Sequence, residues 1–395
     1  MEELLKGVGN RIMTRAEFKT YLGDKAFYQN VAKIAIPISL QSLITIGVNM
    51  MDTIMLGKLG EVAISASSLA NQFITLFQIC CMGIGMGASV LTARFWGMQN
   101  ISALQKAVTI MYRLCFVIGL GFTVATIAAP GALMQIYTTD ADVIREGIGY
   151  FKWSIPCYWL LGFSLTTTIV LRSIGQVKLP LICSIVAFFI NVAANWIFIF
   201  GNFGAPAMGV EGAALGTLIS RCFEFAFICG YFLFVEKKIA YRLRHLLMKC
   251  RDMVGEYLRI SIPVLISDTL LGLGNNAVAM VGRLGANFVS ANAITTVTMQ
   301  LSTVFIQGIS NASAIITGHT LGQGKAERAQ KQGYTFLGLG AAIGLFAGVL
   351  IAAISDLVIS FYDITPETHE IAEQLMLAIG FIVFFQAVNS ILTKG

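Results

Sequence analysis

The sequence predicts an all-α integral membrane protein that is built from two parallel lobes of one helical repeat. Hydrophobic residues make up 56% of the 395 residues and charged residues only 12%, about half the charge of a typical soluble domain. The apolar residues fall in blocks, such as 114–129, 181–200 and 336–354, that are long enough to cross most of a bilayer core. Because strands of membrane barrels alternate apolar and polar residues, blocks that are apolar all round predict helices.

The apolar blocks predict ten membrane spans. They lie near 34–56, 62–85, 103–128, 148–170, 180–200, 210–235, 258–280, 288–316, 333–354 and 371–392. Lys and Arg concentrate in the connections after even-numbered spans, where Arg172 and Lys178 are assigned to the loop after span four. Because cytoplasmic loops carry such an excess, the N-terminus is predicted to lie in the cytoplasm. The membrane is expected to be the plasma (inner) membrane of a bacterium.

Other classes of protein find little support in the sequence. The net charge of +6 follows the loop pattern that orients a membrane protein, so no nucleic-acid partner is predicted. The eight cysteines form no C-x-x-C pair and the three histidines have no metal-ligand spacing, so neither a disulfide framework nor a metal centre is predicted. The sequence contains no Gly-x-Ser-x-Gly or His-Glu-x-x-His motif, and no enzyme activity or cofactor is predicted.

An internal repeat relates two parts of the chain. A shift of 225 residues superimposes 57–170 on 282–395 without a gap. The matched pairs include Gly57 with Gly282, Gly97 with Gly322 and, at one residue more, Pro37 with Pro263. Because the first copy contains six spans, both copies enter the membrane in the same sense, and a pseudo-two-fold axis along the membrane normal is expected to relate them.

The repeat predicts four segments. They are a cytosolic N-terminal segment at 1–30, an N-lobe of six spans at 31–235, a basic cytosolic linker at 236–256 and a C-lobe at 257–395. The C-lobe contains counterparts of only the first four spans of the N-lobe. A complete second copy would give twelve spans and end at about residue 460, so the second lobe is expected to be truncated to four helices.

A polar stripe on span one ends in a carboxylate. At helical spacing Gln41, Thr45, Asn49 and Asp52 share one face. An Asp at the centre of a span costs about 2.5–3.5 kcal/mol on insertion scales, so such residues tend to face a cavity and to serve it. The alternative is that Asp52, which is close to Gly57, lies near the outer membrane interface.

Asparagines and a second acid lie on spans five and seven. Asn191 and Asn195, at i and i+4, either bond across helices as packing contacts or coordinate a ligand. Asp268, with Asn275 one heptad later, either faces a cavity or is solvated from the cytoplasmic side. Neither Asp52 nor Asp268 has an acid at the equivalent position of the other copy, which favours function over a scaffold role.

Span six carries two further charges. Arg221 and Glu224, at i and i+3, are predicted to neutralise each other as a structural ion pair. Arg113 in span three either snorkels or pairs with an acid.

Several stretches resemble the multidrug and toxic compound extrusion (MATE) antiporters. They are Ile36-Pro37 leading to Asp52-Thr53, Gly57 to Gly60, Arg94-Phe95-Trp96-Gly97, Leu171 to Gln176 with Pro180, Asn191 to Gly201, and Gly209 to Ala214. The resemblance covers 31–395 and implies two six-helix lobes around a central cavity. It also implies efflux of organic cations and drugs, driven by inward H⁺ or Na⁺.

The resemblance implies roles for individual residues. Asp52 corresponds to the first-lobe acid of cation coupling, and Asp268 to the second-lobe acid of some members, with sodium possible at either residue. Asn191 and Asn195 occupy the matching positions on span five, where some members have Asp at the second position.

The sequence therefore predicts a monomeric antiporter of the lipid bilayer. Its ion neutralises Asp52, which displaces a cationic, apolar substrate, and the lobes then rock between two openings. A lipid-linked sugar flippase of related architecture is the alternative, and it would favour a strongly cationic cavity. The sequence decides neither the substrate nor the choice between proton and sodium.

Overall fold

The computed structural model describes residues 24–279, 286–359 and 366–394. All regular secondary structure within these residues is helical, which confirms the all-α part of the predicted fold class. Ten long helices lie within them, each corresponding to one predicted span. They are α1 (Lys25–Gly57), α2 (Glu61–Gly97), α3 (Ile101–Ala128), α4 (Ala141–Ser173), α5 (Lys178–Phe200), α6 (Val210–Gly230), α7 (Arg251–Ala279), α8 (Ala286–Gly322), α9 (Ala326–Ile359) and α10 (Pro366–Lys394).

Shorter elements join the long helices. A helix at Pro130–Gln135 connects α3 to α4, a π-helical turn at Tyr231–Val235 continues α6, and a 3₁₀ turn covers Leu243–Leu247. Two helices begin inside segments predicted to be non-membrane: α1 begins at Lys25 and α7 at Arg251. The predicted N-terminal segment and linker are therefore partly helical.

Polar caps fix where several helices begin. Side-chain oxygens of Asp24, Asn100 and Asp140 accept hydrogen bonds from backbone N–H groups in the first turns of α1, α3 and α4. These bonds satisfy donors that a helix cannot satisfy within itself. At the other end of α5, Gly201 has φ +74°, the left-handed conformation that stops a helix at little cost for glycine.

Eight of the described helices are long and apolar enough to cross a membrane, namely α1 to α6, α9 and α10. The helices α7 and α8, predicted as spans seven and eight, are not in this group, which was assigned from described residues only and so lacks most of 268–297. Several hydroxyl residues of α8 are buried. Two of these are satisfied within the protein, since Ser310 donates to the Ser390 carbonyl at 2.6 Å and Thr317 to the Ser313 carbonyl at 2.6 Å.

The two repeats pack against each other reciprocally. Helix α1 packs against α8, and its repeat equivalent α7 packs against α2, which is the equivalent of α8. The Ser39 hydroxyl donates to the Val304 carbonyl at 3.3 Å in the first contact, and the Tyr257 hydroxyl donates to the Ile84 carbonyl at 2.6 Å in the second. The two sequence repeats are therefore in contact through the first two helices of each copy.

Helices α2 and α8 meet at their C-terminal residues. A Cβ atom built on Gly97 would lie 3.0 Å from Gly322 Cα, and one built on Gly322 would lie 2.9 Å from Gly97 Cα. The repeat aligns these two glycines with each other, and the predicted pseudo-two-fold axis would pass at such a self-contact. The helices α2, α4, α6 and α8 all end on this side of the molecule. We call it the basic end, because Lys and Arg concentrate in the connections that follow these helices.

Replacing Gly97 by Ala should destabilise the contact between the lobes. The added methyl group meets backbone atoms of α8, and overpacking of this kind costs about 1–3 kcal/mol. The matched control is Gly333→Ala on α9, where an added Cβ has nothing within 4 Å. Thermal unfolding in detergent should show a lower midpoint for Gly97→Ala only; equal midpoints for the two variants would contradict the contact.

Candidate functional site

A cavity of about 390 Å³ lies between the two repeats. The face of α1 that carries the polar stripe lines it, together with α2, α4, α5, α6 and α8. The polar lining residues include Gln41, Thr45, Asn49, Gln78, Asn191, Gln300, Thr303 and Gln307. Three of the four positions of the predicted stripe therefore face this cavity.

Asp52, the fourth position, bonds to a neighbouring helix. It is half-buried, and its Oδ1 accepts a hydrogen bond from Asn195 Nδ2 on α5 at 2.5 Å. The same Nδ2 lies 3.3 Å from Asn191 Oδ1, one helical turn away, and Asn191 lines the cavity. The structure thus brings Asp52, Asn191 and Asn195 into one network at the edge of the cavity.

The network contains two polar atoms without partners among the described residues. Asn191 Nδ2 and Asn195 Oδ1 are buried, and neither makes a hydrogen bond. An unsatisfied buried donor or acceptor costs about 1–3 kcal/mol. Groups of this kind suit a site that exchanges a ligand better than a purely structural contact.

Glycines on α6 allow α5 to come close enough for this network. A Cβ on Gly216 would overlap Asn195 Oδ1 and lie 3.0 Å from the Asn195 backbone nitrogen. A Cβ on Gly212, one turn earlier, would lie 2.6 Å from the Phe198 carbonyl carbon. The spacing of four between these glycines is a sequence signal of close helix packing that could have predicted the approach.

The charged pair on α6 lines the same cavity. Arg221 Nη1 lies 2.6 Å from Glu224 Oε2, and the two side chains are mostly buried. Because the pair is internally neutral, it adds no net charge to the lining.

Arg172 is the functional candidate that sequence reasoning missed. The prediction that it belongs to a loop is wrong, because it lies in the last turn of α4 and its side chain lines the cavity. Its Nη2 donates to Gln41 Oε1, and Gln41 Nε2 donates to the Ser184 hydroxyl at 2.9 Å. Its Nε is buried without a hydrogen-bond partner among the described residues.

The physical reason for this error is how helix α4 ends. Hydropathy falls after residue 170, but the last turn remains helical because it packs against protein rather than lipid. The Ser173 hydroxyl, for example, is buried 2.6 Å from the Thr92 hydroxyl. Lys178, assigned to the same loop, is the first residue of α5.

Other candidates lie elsewhere. Arg113 donates to the carbonyls of Leu246 at 2.6 Å and Met248 at 2.7 Å, so it fastens the segment between α6 and α7 instead of serving the cavity. Asp268 and Asn275 fall on α7, but their side chains lie outside the described residues.

A comparison with known families adds to this geometry. The MatE family model matches residues 37–197 and 263–395. The chain belongs to the MatE family. This membership confirms the resemblance that the sequence motifs indicated.

Two curated relatives of this MatE chain come from bacteria. The "Probable multidrug resistance protein NorM" of Thermotoga maritima is 26% identical over 383 residues, which cover 94% of this chain and 81% of the relative. The "Multidrug resistance protein NorM" of Burkholderia vietnamiensis is 24% identical over 376 residues, which cover 93% and 79%.

Solved structures share the fold. One is described as the outward-facing conformation of a multidrug resistance MATE family transporter, with a TM-score of 0.79 and 19% identity over 97% of this chain and 87% of that chain. Another is a MOP superfamily transporter from Pyrococcus furiosus, described by a reverse polarity of its binding pocket that suggests a different function. Its TM-score is 0.80 and its identity 19%, over 98% of this chain and 86% of that chain.

Proposed function

We propose that this MatE chain is a secondary active multidrug efflux transporter that exports organic cations in exchange for protons or sodium ions. Asp52 is the coupling acid of the proposal, and Asn191 and Asn195 are its partners. The observation that carries the proposal is the hydrogen bond from Asn195 to Asp52 at the edge of the cavity between the repeats. The transporter acts as a monomer in the bacterial inner membrane, with its N-terminus in the cytoplasm.

The chemistry of a carboxylate supports this role. An ionised Asp within a span is costly, and its cost is offset when it accepts hydrogen bonds or binds a cation. The Asn195 amide stabilises the ionised form of Asp52 while no ion is bound. A proton or a sodium ion neutralises the same carboxylate, so ion and cationic cargo compete for one charge.

Arg172 strengthens the competition between ion and cargo, because it adds a positive charge to the cavity. Among the described residues that line the cavity, Arg221 and Glu224 cancel, which leaves Arg172 as the charge without an acid partner. The lining therefore carries one net positive charge, and ionised Asp52 at the cavity edge, which interacts with Arg221, offsets it. When an ion neutralises Asp52, the cavity becomes net positive and repels a cationic substrate, which favours its release.

The packing of the repeats supports alternating access. Helices α1 and α8, and equivalently α7 and α2, hold the two lobes together, and Gly97 contacts Gly322 at the basic end. The excess of Lys and Arg assigns that end to the cytoplasm. The lobes rock about such contacts to open the cavity to one side at a time.

The alternative of a lipid-linked sugar flippase is not favoured. Binding a pyrophosphate group as cargo calls for several uncompensated cations in the cavity between the repeats. The described lining of that cavity contains two arginines, and one of them is paired with Glu224 at 2.6 Å.

Asp52→Asn should abolish ion-driven efflux. The amide keeps the size of the side chain but can neither bind a proton at working pH nor carry the charge that competes with the cargo. We expect efflux of a fluorescent cation from reconstituted vesicles to fall to the level of protein-free vesicles. Imposing a pH gradient and a sodium gradient separately identifies the ion, and normal transport by the variant under either gradient would refute the assignment.

The control for Asp52→Asn is Asp142→Asn, which removes an exposed carboxylate on α4 and should leave efflux unchanged. A second variant tests the hydrogen bond from Asn195, with a control of its own. Gly216→Ala leaves Asp52 intact but displaces Asn195, so it should reduce efflux about tenfold or more. Gly230→Ala on the same helix, where a Cβ meets nothing within 4 Å, should behave as the wild type.

Arg172→Gln should slow the release of cationic cargo. In this variant the cavity is no longer net positive after an ion neutralises Asp52, so the cargo is not repelled and leaves more slowly. The apparent KM and the maximal rate of efflux should therefore both fall several-fold. Arg172→Lys keeps the charge and should restore release, which separates this role from simple packing. Equal defects in the two variants, measured as concentration-dependent efflux, would contradict it.

A further inference from the structure

A second and larger cavity, of about 810 Å³, lies at the basic end, away from the proposed coupling site. Both repeats contribute to it, through α1, the α4–α5 connection, α8 and α9. Its charged lining residues are Lys33, Lys178, Lys238 and Arg328, and the described lining contains no Asp or Glu. Four cations in one cavity without an acid predict an anionic ligand.

These four cations differ from other basic residues at the same end. Arg94 is 3.2 Å from Glu256, and Lys106 is 2.6 Å from Asp252, whose pKa this hydrogen bond lowers. By contrast, none of the four cavity cations forms an ion pair with a described residue. All four are exposed, so their charges are free to contact a ligand in the cavity.

The rest of the lining suits a ligand with an apolar part and with hydroxyl groups. Ile34, Val177 and Ile316 are buried residues that form an apolar wall. Gln332 also lines the cavity, and its Oε1 is a buried acceptor with no hydrogen-bond partner among the described residues. A ligand that offers a hydroxyl donor beside its negative charge would satisfy that atom.

We propose that this cavity binds the phosphate group of an anionic phospholipid headgroup. Lys178 begins α5 and Lys33 lies in the first part of α1, so both lie at the ends of apolar spans, the level at which lipid phosphates are found. Basic cavities between membrane helices on the cytoplasmic side are suited to such headgroups. A headgroup that carries hydroxyls, as in phosphatidylglycerol, matches both the cations and Gln332.

The bound headgroup also acts on the contact between the repeats. Lys33 and Lys178 belong to the first copy, whereas Arg328 and Gln332 belong to the second. One phosphate held by residues of both repeats stabilises the arrangement in which Gly97 contacts Gly322 at the basic end. The lipid therefore raises the thermal stability of this state by mass action.

The test compares two double variants with equal loss of charge. Lys178→Gln with Arg328→Gln removes one cation of the cavity from each repeat. Lys237→Gln with Arg244→Gln removes two exposed cations that do not line it. Each protein is titrated with phosphatidylglycerol in phosphatidylcholine nanodiscs, and the midpoint of thermal unfolding is measured; in pure phosphatidylcholine the midpoints should agree, which controls for folding.

We expect phosphatidylglycerol to raise the midpoint of the wild type and of the control variant. The cavity variant should need a concentration higher by about fivefold for each charge removed. Inorganic phosphate and glycerol 3-phosphate serve as soluble competitors and should not reproduce the effect. An equal response of both variants, or equal stabilisation by a soluble phosphate, would overturn the proposal.

Discussion

The contact between Gly97 and Gly322 is the constraint on which the arrangement of the two repeats depends. Each glycine approaches its own repeat equivalent so closely that a methyl group on either would meet backbone atoms. The contact joins α2 to α8 at the basic end. Gln78 and Met82, which line the central cavity, precede it on α2 by several turns. The repeats are thus held together at one end, and the polar cavity lies between them further along the helices.

A similar steric constraint shapes the proposed coupling site. Asp52 lies against Asn195 because Gly216 leaves room for the Asn195 side chain. The position of the hydrogen bond to Asp52 therefore depends on a glycine that makes no polar contact with it. The proposed coupling then depends on few charged residues. Arg221 and Glu224 cancel, and in the proposed mechanism the competition between ion and cargo depends on Asp52 and on the net positive charge that Arg172 gives the lining. In a medium of low dielectric constant, one uncompensated charge is enough to move a binding equilibrium.

The sequence predicted the parts of this account that depend on periodicity. Ten apolar blocks gave ten long helices, and helical spacing aligned Gln41, Thr45 and Asn49 on the face that lines the cavity. It did not predict Arg172, because hydropathy falls where a helix packs against protein instead of lipid. It also could not pair Asn195 with Asp52, since the approach of α5 to α1 depends on contacts between residues that are far apart in sequence.

The most direct test of the account is the number of ions released when cargo binds. A cationic dye is titrated into the purified protein by calorimetry, in buffers of different ionisation enthalpy and at several sodium concentrations. If ion and cargo compete for Asp52, binding of one dye releases close to one proton or one sodium ion, and Asp52→Asn releases none. Linkage then requires that the ion weakens dye binding by the same factor. Dye binding that releases no ion at any pH or sodium concentration would contradict the account.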